Sequence, residues 1–304
     1  MINFAVIHEG KNIEEQVAKD LVDAARDIED ITALIASVNI DHEVLKTMMS
    51  NSDCIILILS SAKEDSKFFK ALAEVKCPKI MWYQRDLVLE NNPKTRRVFE
   101  FSKEANVDQA LFLTDFGIDF ARFNHLAPEI EKLGPAVNLK DWDYDFEAER
   151  DRNTFYCYAT QAKEIRLGHV NVMLDTFKEL DTVVKLCKAV NSKKERRRLY
   201  RSCYMNLCIE SSPFYMSNKV LEIIASGGFP YAFKSKVLFD LFDNEYPYPT
   251  WDWEYVEQDA EIYPRRRELV DKHNLKTLKE HCFNKYKLTY NDRWQFLKEQ
   301  AERF

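Results

Sequence analysis

The sequence predicts an α/β protein with two halves, each built on a parallel β-sheet with crossover helices. Three observations lead to this prediction. Short apolar runs alternate with amphipathic segments over residues 2–127. Residues 204–235 have the pattern of one strand–loop–helix–strand unit. Residues 139–153 are rich in Asp, Glu and Trp without a clear period, which predicts an interdomain linker. The expected domains are residues 1–142 and 143–288, followed by a last helix at residues 289–304.

In the first half, apolar runs predict strands that are separated by helices. The run Cys54–Ser60 is apolar almost throughout, as expected for a strand buried on both faces of a parallel sheet. Asp41 is expected to cap the helix that follows the second strand. The expected strands are residues 2–8, 31–38, 54–60, 78–83 and 109–113, and the expected helices are residues 13–28, 42–49, 65–75 and 120–127.

The second half is organised around the unit at residues 204–235. Pro213 keeps the loop after its first strand from continuing as helix, and two glycines end the helix because positive φ costs them little. The expected order is strand 205–209, capping residues Ser217 and Asn218, helix 219–224, helix end Gly227–Gly228 and strand 229–233. Further strands are expected at residues 155–159 and 182–187, and Asn291 or Asp292 is expected to cap the last helix.

Composition narrows the class of protein. The 304 residues carry a net charge of −6 and have no apolar run of the roughly 20 residues that a membrane span needs. The N-terminus lacks the features of a signal peptide, so we expect a cytoplasmic, monomeric protein with no membrane contact. Seven scattered cysteines without a CxxC predict reduced thiols, and no residues have zinc-ligand spacing. We expect no metal and no other cofactor, and the absence of GxGxxG and P-loop motifs argues against a dinucleotide-binding fingerprint or a P-loop.

Candidate site residues follow the expected strands, at the carboxyl edge where open α/β sheets bind ligands. The loop His8–Glu9–Gly10 follows the first strand and is either a plain surface turn or a loop whose backbone approaches substrate. Asp115 lies in the loop after the strand at 109–113. Arg85 and Asp86 follow the strand at 78–83. Asp86 is either a base or hydroxyl-binding group, or it has a structural role as a helix N-cap or as one member of a surface ion pair with Arg85.

In the second half, Ser217, Asn218, Lys219 and Glu222 surround the start of a predicted helix. A cation there suits a diphosphate, and a carboxylate one turn later can accept hydrogen bonds from both ribose hydroxyls. The alternative is a solvated ion pair between Lys219 and Glu222 at i,i+3 spacing.

A basic run precedes this unit. On a helix its residues are expected to spread around several faces, which fits either a solvated helix or a polyanion site in an otherwise acidic chain. Its members are Lys193, Lys194, Arg196, Arg197, Arg198 and Arg201, of which the first five are the candidates for contacts to DNA phosphates, and a second basic cluster is Arg265–Arg267.

Three motifs resemble those of a known family, the GT-B glycosyltransferases that include the T-even bacteriophage DNA α-glucosyltransferase. NKVLEIIASGGFPYAFKS (Asn218–Ser235) is similar to the donor-binding helix and following strand. WYQRD (Trp82–Asp86) resembles the catalytic centre, although Arg85 stands where the family has histidine. YATQAKEIRLGH (Tyr158–His169) lies where the family holds the donor diphosphate, which implies this role for Arg166 and Lys163.

The resemblance implies two Rossmann-like domains that face a central cleft, with the C-terminal helix packing back on the first domain. It implies a retaining glycosyltransferase that uses a UDP-sugar, UDP-glucose or a UDP-pentose, with Glu222 on the ribose. The implied acceptor is 5-hydroxymethylcytosine in double-stranded phage DNA, in the cytoplasm of an infected host, with Asp86 acting on the hydroxyl. Two alternatives stay open: the same reaction on a surface glycan, lipid or protein, and a non-catalytic nucleotide-binding protein.

Overall fold

A computed structural model of the chain describes ten segments, which group into two compact units. The units are Met1–Asn138 with Thr289–Phe304, and Leu139–Leu288. The described residues are 1–10, 13–59, 66–84, 100, 102–142, 151–157, 183–186, 192–208, 216–252 and 275–304.

The first unit contains a six-stranded parallel sheet in the order β2-β1-β3-β4-β5-β6. Strand order reverses beside β1, so the ligand crevice of such a sheet is expected at the carboxyl ends of β1 and β3. The strands are β1 (Ile2–His8), β2 (Ile31–Ser37), β3 (Cys54–Leu59), β4 (Lys79–Tyr83), β5 (Gln109–Phe112) and β6 (Glu129–Lys132). The helices are α1 (Ile13–Ala25), α2 (His42–Ser50), α3 (Ser66–Glu74) and α4 (Asp115–Phe123).

Two elements of this unit differ from the prediction. Strand β6 was not predicted, because its sequence EIEK is mostly charged and its residues are only half-buried at the edge of the sheet. Helix α4 begins at Asp115 and not at residue 120, since the Thr114 hydroxyl accepts a hydrogen bond of 3.0 Å from the Gly117 N–H and caps the helix earlier.

The C-terminal helix α10 (Tyr290–Arg303) packs on the first unit, as expected. The Trp294 indole donates a hydrogen bond of 2.6 Å to the Leu21 carbonyl of α1. The buried Arg293 guanidinium donates to the carbonyls of Gly134 and Pro135 at 3.0 and 2.9 Å. Burial lowers the pKa of Arg293 to about 10.

The cap of α10 differs from the prediction. Thr289 is the capping residue, and its hydroxyl accepts from the Asp292 N–H at 3.2 Å. Asp292 completes a capping box by accepting from the Thr289 N–H at 2.9 Å.

The second unit contains a five-stranded parallel sheet in the order β11-β10-β9-β7-β8. The order reverses between β7 and β9, which places the expected ligand crevice at their carboxyl ends. The strands are β7 (Asp151–Cys157), β8 (Val183–Leu186), β9 (Cys203–Cys208), β10 (Pro230–Phe233) and β11 (Thr250–Trp251). The helices are α5 (Leu139–Trp142), α6 (Lys193–Ser202), α7 (Lys219–Ala225), α8 (Lys236–Leu241) and α9 (Leu275–Tyr286).

The segment expected to be a linker contains regular structure at both of its ends. Helix α5 occupies residues 139–142, and β7 begins at Asp151. Trp142 is 2% exposed and its ring lies 5.9 Å from the ring of Tyr200, so α5 packs within the second unit. Trp142 is therefore a core residue of the second unit and not part of a solvated linker.

Candidate functional site

Helix α7 follows β9, at the carboxyl edge of the second sheet where its strand order reverses. Its apolar residues Val220, Leu221, Ile223 and Ile224 are buried, which anchors the helix to the sheet. Asn218 occupies the N-cap position as expected, but its backbone is helical and its side chain makes no capping hydrogen bond. Ser217 and Lys219, like Asn218, are half-buried at the start of the helix.

The helix ends at two glycines, as predicted. Gly227 has a φ of 69°, and its N–H donates to the Ile224 carbonyl at 2.9 Å. The Gly228 N–H donates to the Ile223 carbonyl at 2.9 Å, which completes a Schellman motif. A Cβ added at Gly228 would lie 2.7 Å from the Tyr200 carbonyl oxygen, so this turn fits closely against the end of α6.

Glu222, one turn into α7, contacts helix α6. Its Oε2 accepts a hydrogen bond from the Tyr200 hydroxyl at 3.3 Å. Arg196 Nη1 lies 3.8 Å from the same oxygen, and the Glu222 and Arg196 side chains are only 14% and 17% exposed. The carboxylate is therefore held at a defined position and is not a member of a fully solvated ion pair.

The basic residues of α6 are less evenly spread than predicted. Spacings of three and four place five residues on one helix face: Lys193, Arg196, Arg197, Tyr200 and Arg201.

That face makes contacts within the second unit. Lys193 forms an ion pair with Asp141, and Arg197 donates to the Asp141 carbonyl at 3.3 Å. The Arg196 guanidinium lies 5.2 Å from the centre of the Trp142 ring. Buried Arg201 donates to the Gly227 carbonyl at 2.8 Å. These arginines therefore attach α6 to α5 and to the end of α7.

Lys194 and Arg198 differ from the other members of the basic run because both are exposed. The two residues are four positions apart, so they lie near each other on the helix surface. Of the five cations predicted to contact a polyanion, these two have the exposure that such a contact needs.

In the first unit, the loop after β1 is buried more deeply than a plain surface turn. His8 is 6% exposed and Glu9 is 5% exposed. His8 Nδ1 lies 3.1 Å from the Gly10 carbonyl, so this nitrogen carries a proton that it donates. Burial lowers the pKa of His8, and the nearby charges of Glu15, Lys19 and Glu14 modify this effect.

Asp115 lies at the same carboxyl edge, at the start of α4. Its side chain is 52% exposed and pairs with Lys132 at 3.4 Å. Strands β3 and β4 lie between β1 and β5 in the sheet, which separates Asp115 from His8 by about three strand spacings, or roughly 14 Å. The structure therefore does not bring these two predicted residues together.

Four predicted site residues and one basic cluster lie outside the described residues. Arg85 and Asp86 follow β4, of which Tyr83 is the last residue. Lys163 and Arg166 come after β7, and Arg265–Arg267 come before α9.

No group of three or more His, Cys, Asp and Glu residues that could hold a metal ion occurs in the segments that the structure describes. Within those same segments, every helix is too short or too polar to cross a bilayer.

No protein-family model and no curated protein matches this chain, whereas solved structures match it over both units. An α-glucosyltransferase in complex with UDP and a 13-mer DNA containing an HMU base has a TM-score of 0.67 at 11% identity, over 99% of this chain and 98% of that one. A glycosyltransferase from Rickettsia africae has a TM-score of 0.70 at 9% identity, over 99% and 98%. Anabaena HepE, in complex with UDP and glucose, has a TM-score of 0.67 at 8% identity, over 100% of both chains.

These neighbours are GT-B glycosyltransferases. Because the likeness extends over almost the whole chain, the protein has the GT-B fold, with two Rossmann-like units.

Proposed function

We propose that this protein is a glycosyltransferase that takes its sugar from a UDP-sugar. The observation that carries the proposal is the position of Glu222. It lies on the helix after β9, where the strand order of the second sheet reverses, and its carboxylate is held by Tyr200. The UDP found with the α-glucosyltransferase and with HepE supports this choice of donor.

In this proposal the second unit binds the donor. Glu222 accepts hydrogen bonds from the ribose hydroxyls, because an ionised carboxylate is purely an acceptor and its two oxygens can bind two adjacent hydroxyls. Ser217, Asn218 and Lys219 lie one turn before Glu222 and contact the diphosphate. Lys163 and Arg166, on the segment after β7, add positive charge to the leaving group. Such cations supply the charge stabilisation that some transferases obtain from a metal.

The first unit takes the acceptor. Asp86 follows β4 and positions or deprotonates the acceptor hydroxyl, with Arg85 beside it. The loop His8–Gly10 lies on the same carboxyl edge and borders the acceptor site, and Asp115 lies farther along that edge, at the far end of an extended acceptor. The proposed reaction retains the anomeric configuration of the sugar.

For the acceptor, we favour 5-hydroxymethylcytosine in double-stranded DNA. A neighbour of similar fold was solved with DNA containing an HMU base. The target base would leave the helix stack so that its hydroxyl reaches the anomeric carbon. Exposed Lys194 and Arg198 are the residues of the basic run that we assign to phosphate contacts, with Lys193, Arg196 and Arg197 acting through the packing of α6. A DNA acceptor would place the activity in the cytoplasm of an infected bacterium.

A second candidate keeps the donor and changes the acceptor to a glycan, lipid or protein. The net charge of −6 favours it, because proteins that bind DNA are usually basic. A pneumococcal O-GlcNAc transferase, with a TM-score of 0.59 at 14% identity over 85% of this chain and 59% of that one, was solved with UDP and GlcNAc.

The test is a transfer assay with a panel of UDP-sugars and three acceptors: hydroxymethylcytosine DNA, unmodified DNA and a glycan mixture. Mass spectrometry of the product nucleosides identifies both the sugar and the acceptor base. We expect a sugar on hydroxymethylcytosine and none on cytosine. Transfer only to the glycan would support the second candidate, and no UDP release with any donor or acceptor would contradict the proposed function.

Glu222→Gln tests the donor site in the same assay. We expect it to weaken UDP binding by about 10- to 100-fold, the range for loss of a hydrogen bond to a charged group. Glu280→Gln is the matched control, because Glu280 is an exposed glutamate of α9 in the same unit. Equal affinities in the two variants would contradict the assignment of Glu222.

A further inference from the structure

Two side chains of α6 hold the Glu222 carboxylate from the same side. The Tyr200 hydroxyl donates to Oε2 at 3.3 Å, and Arg196 Nη1 lies 3.8 Å from that same oxygen. Tyr200 is fully buried, whereas Glu222 keeps 14% of its side chain exposed. Both contacts are to the same carboxylate oxygen, Oε2, so together they set the orientation of the carboxylate.

Tyr200 and Arg196 are themselves restrained by Trp142. The rings of Trp142 and Tyr200 are stacked, with centroids 5.9 Å apart and planes 28° apart. The Arg196 guanidinium lies 5.2 Å from the Trp142 ring centre, within the range of cation–π attraction. The Tyr200 carbonyl also accepts a hydrogen bond of 2.8 Å from buried Asn206. The groups around Glu222 are thus pre-organised by packing.

The two distances show that Tyr200 and Arg196 interact with the Glu222 carboxylate in different ways. Tyr200 lies within hydrogen-bond distance and occupies one acceptor position of the carboxylate. Arg196, at 3.8 Å, is beyond that distance, so it compensates the negative charge without using an acceptor position. An ionised carboxylate has two acceptor oxygens, so a carboxylate in a fixed orientation can bind the two adjacent hydroxyls of a ribose.

We propose that Tyr200 and Arg196 are positioning residues that make the donor site selective for ribonucleotides over 2′-deoxyribonucleotides. This inference rests on the proposed function, in which Glu222 binds the ribose. A fixed carboxylate can meet both hydroxyls at once, whereas a mobile one loses the second hydrogen bond. Selectivity, measured as a ratio of affinities, therefore depends on the side chains behind Glu222 as well as on Glu222 itself.

The experiment measures the dissociation constants of UDP and 2′-deoxy-UDP by calorimetry. We expect the wild-type protein to prefer UDP. Tyr200→Phe keeps the stacked ring and removes only the hydroxyl, and we expect it to reduce the preference by about three- to tenfold. Arg196→Gln is expected to reduce the preference in the same direction, and it carries the test if Tyr200→Phe fails to fold.

Tyr286→Phe is the matched control. The Tyr286 hydroxyl donates to Glu245 Oε2 at 3.4 Å, so this variant removes a tyrosine–glutamate hydrogen bond of almost the same length from the same unit. The preference for UDP should stay at the wild-type value in this control.

The outcomes separate the inference from the proposed function. If Glu222→Gln abolishes the preference while Tyr200→Phe and Arg196→Gln leave it unchanged, the inference fails and the proposed function stands. If Glu222→Gln leaves the preference for UDP unchanged as well, or if the wild-type protein has no such preference, both the inference and the assignment of Glu222 to the ribose fail. An equal loss of affinity for both nucleotides in Tyr200→Phe would show a purely structural role and overturn the inference.

Discussion

Replacing Gly228 by alanine should destabilise the second unit through a steric clash. A Cβ at this position would lie 2.7 Å from the Tyr200 carbonyl oxygen, 2.9 Å from Ile223 Cγ2 and 3.1 Å from Asn206 Nδ2. Cβ atoms in proteins essentially never approach other heavy atoms closer than 3.0 Å. The two nearest groups cannot rotate away, because one is backbone and the other belongs to a buried residue of α7.

The magnitude follows from what must move. The turn after α7 has to shift away from the end of α6, and overpacking of this kind costs about 1–3 kcal/mol. The shift also strains the 2.8 Å hydrogen bond from Asn206 to the Tyr200 carbonyl. That bond contributes about 1 kcal/mol, which brings the expected loss to about 2–4 kcal/mol. For a unit of this size, the melting temperature should fall by roughly 5–10 °C.

Urea unfolding followed by circular dichroism measures the loss, and Gly10 provides the control. Gly10 has a φ of 88°, but the nearest atom to an added Cβ there is Glu14 Oε2 at an ordinary 3.6 Å. Gly10→Ala should therefore cost only about 1–2 kcal/mol of backbone strain. Gly10→Asn should be less destabilising than Gly10→Ala, because asparagine tolerates positive φ better than alanine. Gly228→Asn should be more destabilising than Gly228→Ala, because its larger side chain adds to the clash. A Gly228→Ala protein within about 0.5 kcal/mol of wild type would refute the packing of this turn against α6.

Three further predictions concern other parts of the molecule. Because burial lowers the pKa of His8 below its ordinary value of 6.5, the unfolded chain binds more protons as pH falls below that value. The free energy of unfolding should then decrease between pH 7 and pH 5, and urea titrations should show a smaller decrease in His8→Gln; an identical decrease would contradict the burial of His8. Arg293→Met leaves two buried carbonyls without their donor and should cost about 2–4 kcal/mol, with faster amide exchange in α10; unchanged exchange would contradict its role. Lys194→Ala and Arg198→Ala should each reduce the magnitude of the negative slope of log affinity for DNA against log salt by about 0.9, whereas unchanged slopes would exclude these phosphate contacts.

The elements that sequence predicts well are those whose sequence pattern and burial agree. Strand β3 is apolar and fully buried, and the glycine pair after α7 ends the helix through the conformation that glycine permits. Strand β6 was missed because a half-buried edge strand with the sequence EIEK has no apolar signal. Trp142 falls in the predicted linker because a single turn of helix gives no period, and its burial depends on α6, which is distant in sequence.

In the candidate site, too, the sequence predicts the residue defined by local pattern and misses those that tertiary packing brings to it. The sequence predicts Glu222 as a site residue from its place in a strand–loop–helix unit, which is local information. Its partners Tyr200 and Arg196 lie on the preceding helix, and only the packing of α6 against α7 brings them to it. The spacing of Lys193, Arg197 and Tyr200 is visible in the sequence. Together with Arg196 and Arg201, it indicates a single face of α6 that packs against the rest of the second unit.

The central claim is that Glu222 binds the ribose of the nucleotide donor, and a crystal structure of the protein with UDP tests it most directly. We predict that the uridine ribose lies beside α7, with at least one of its hydroxyls within about 3.2 Å of a Glu222 carboxylate oxygen. The Tyr200 hydroxyl should remain on Oε2 in that complex. A ribose located away from α7, with the Glu222 carboxylate still held by Tyr200 and Arg196, would contradict the claim.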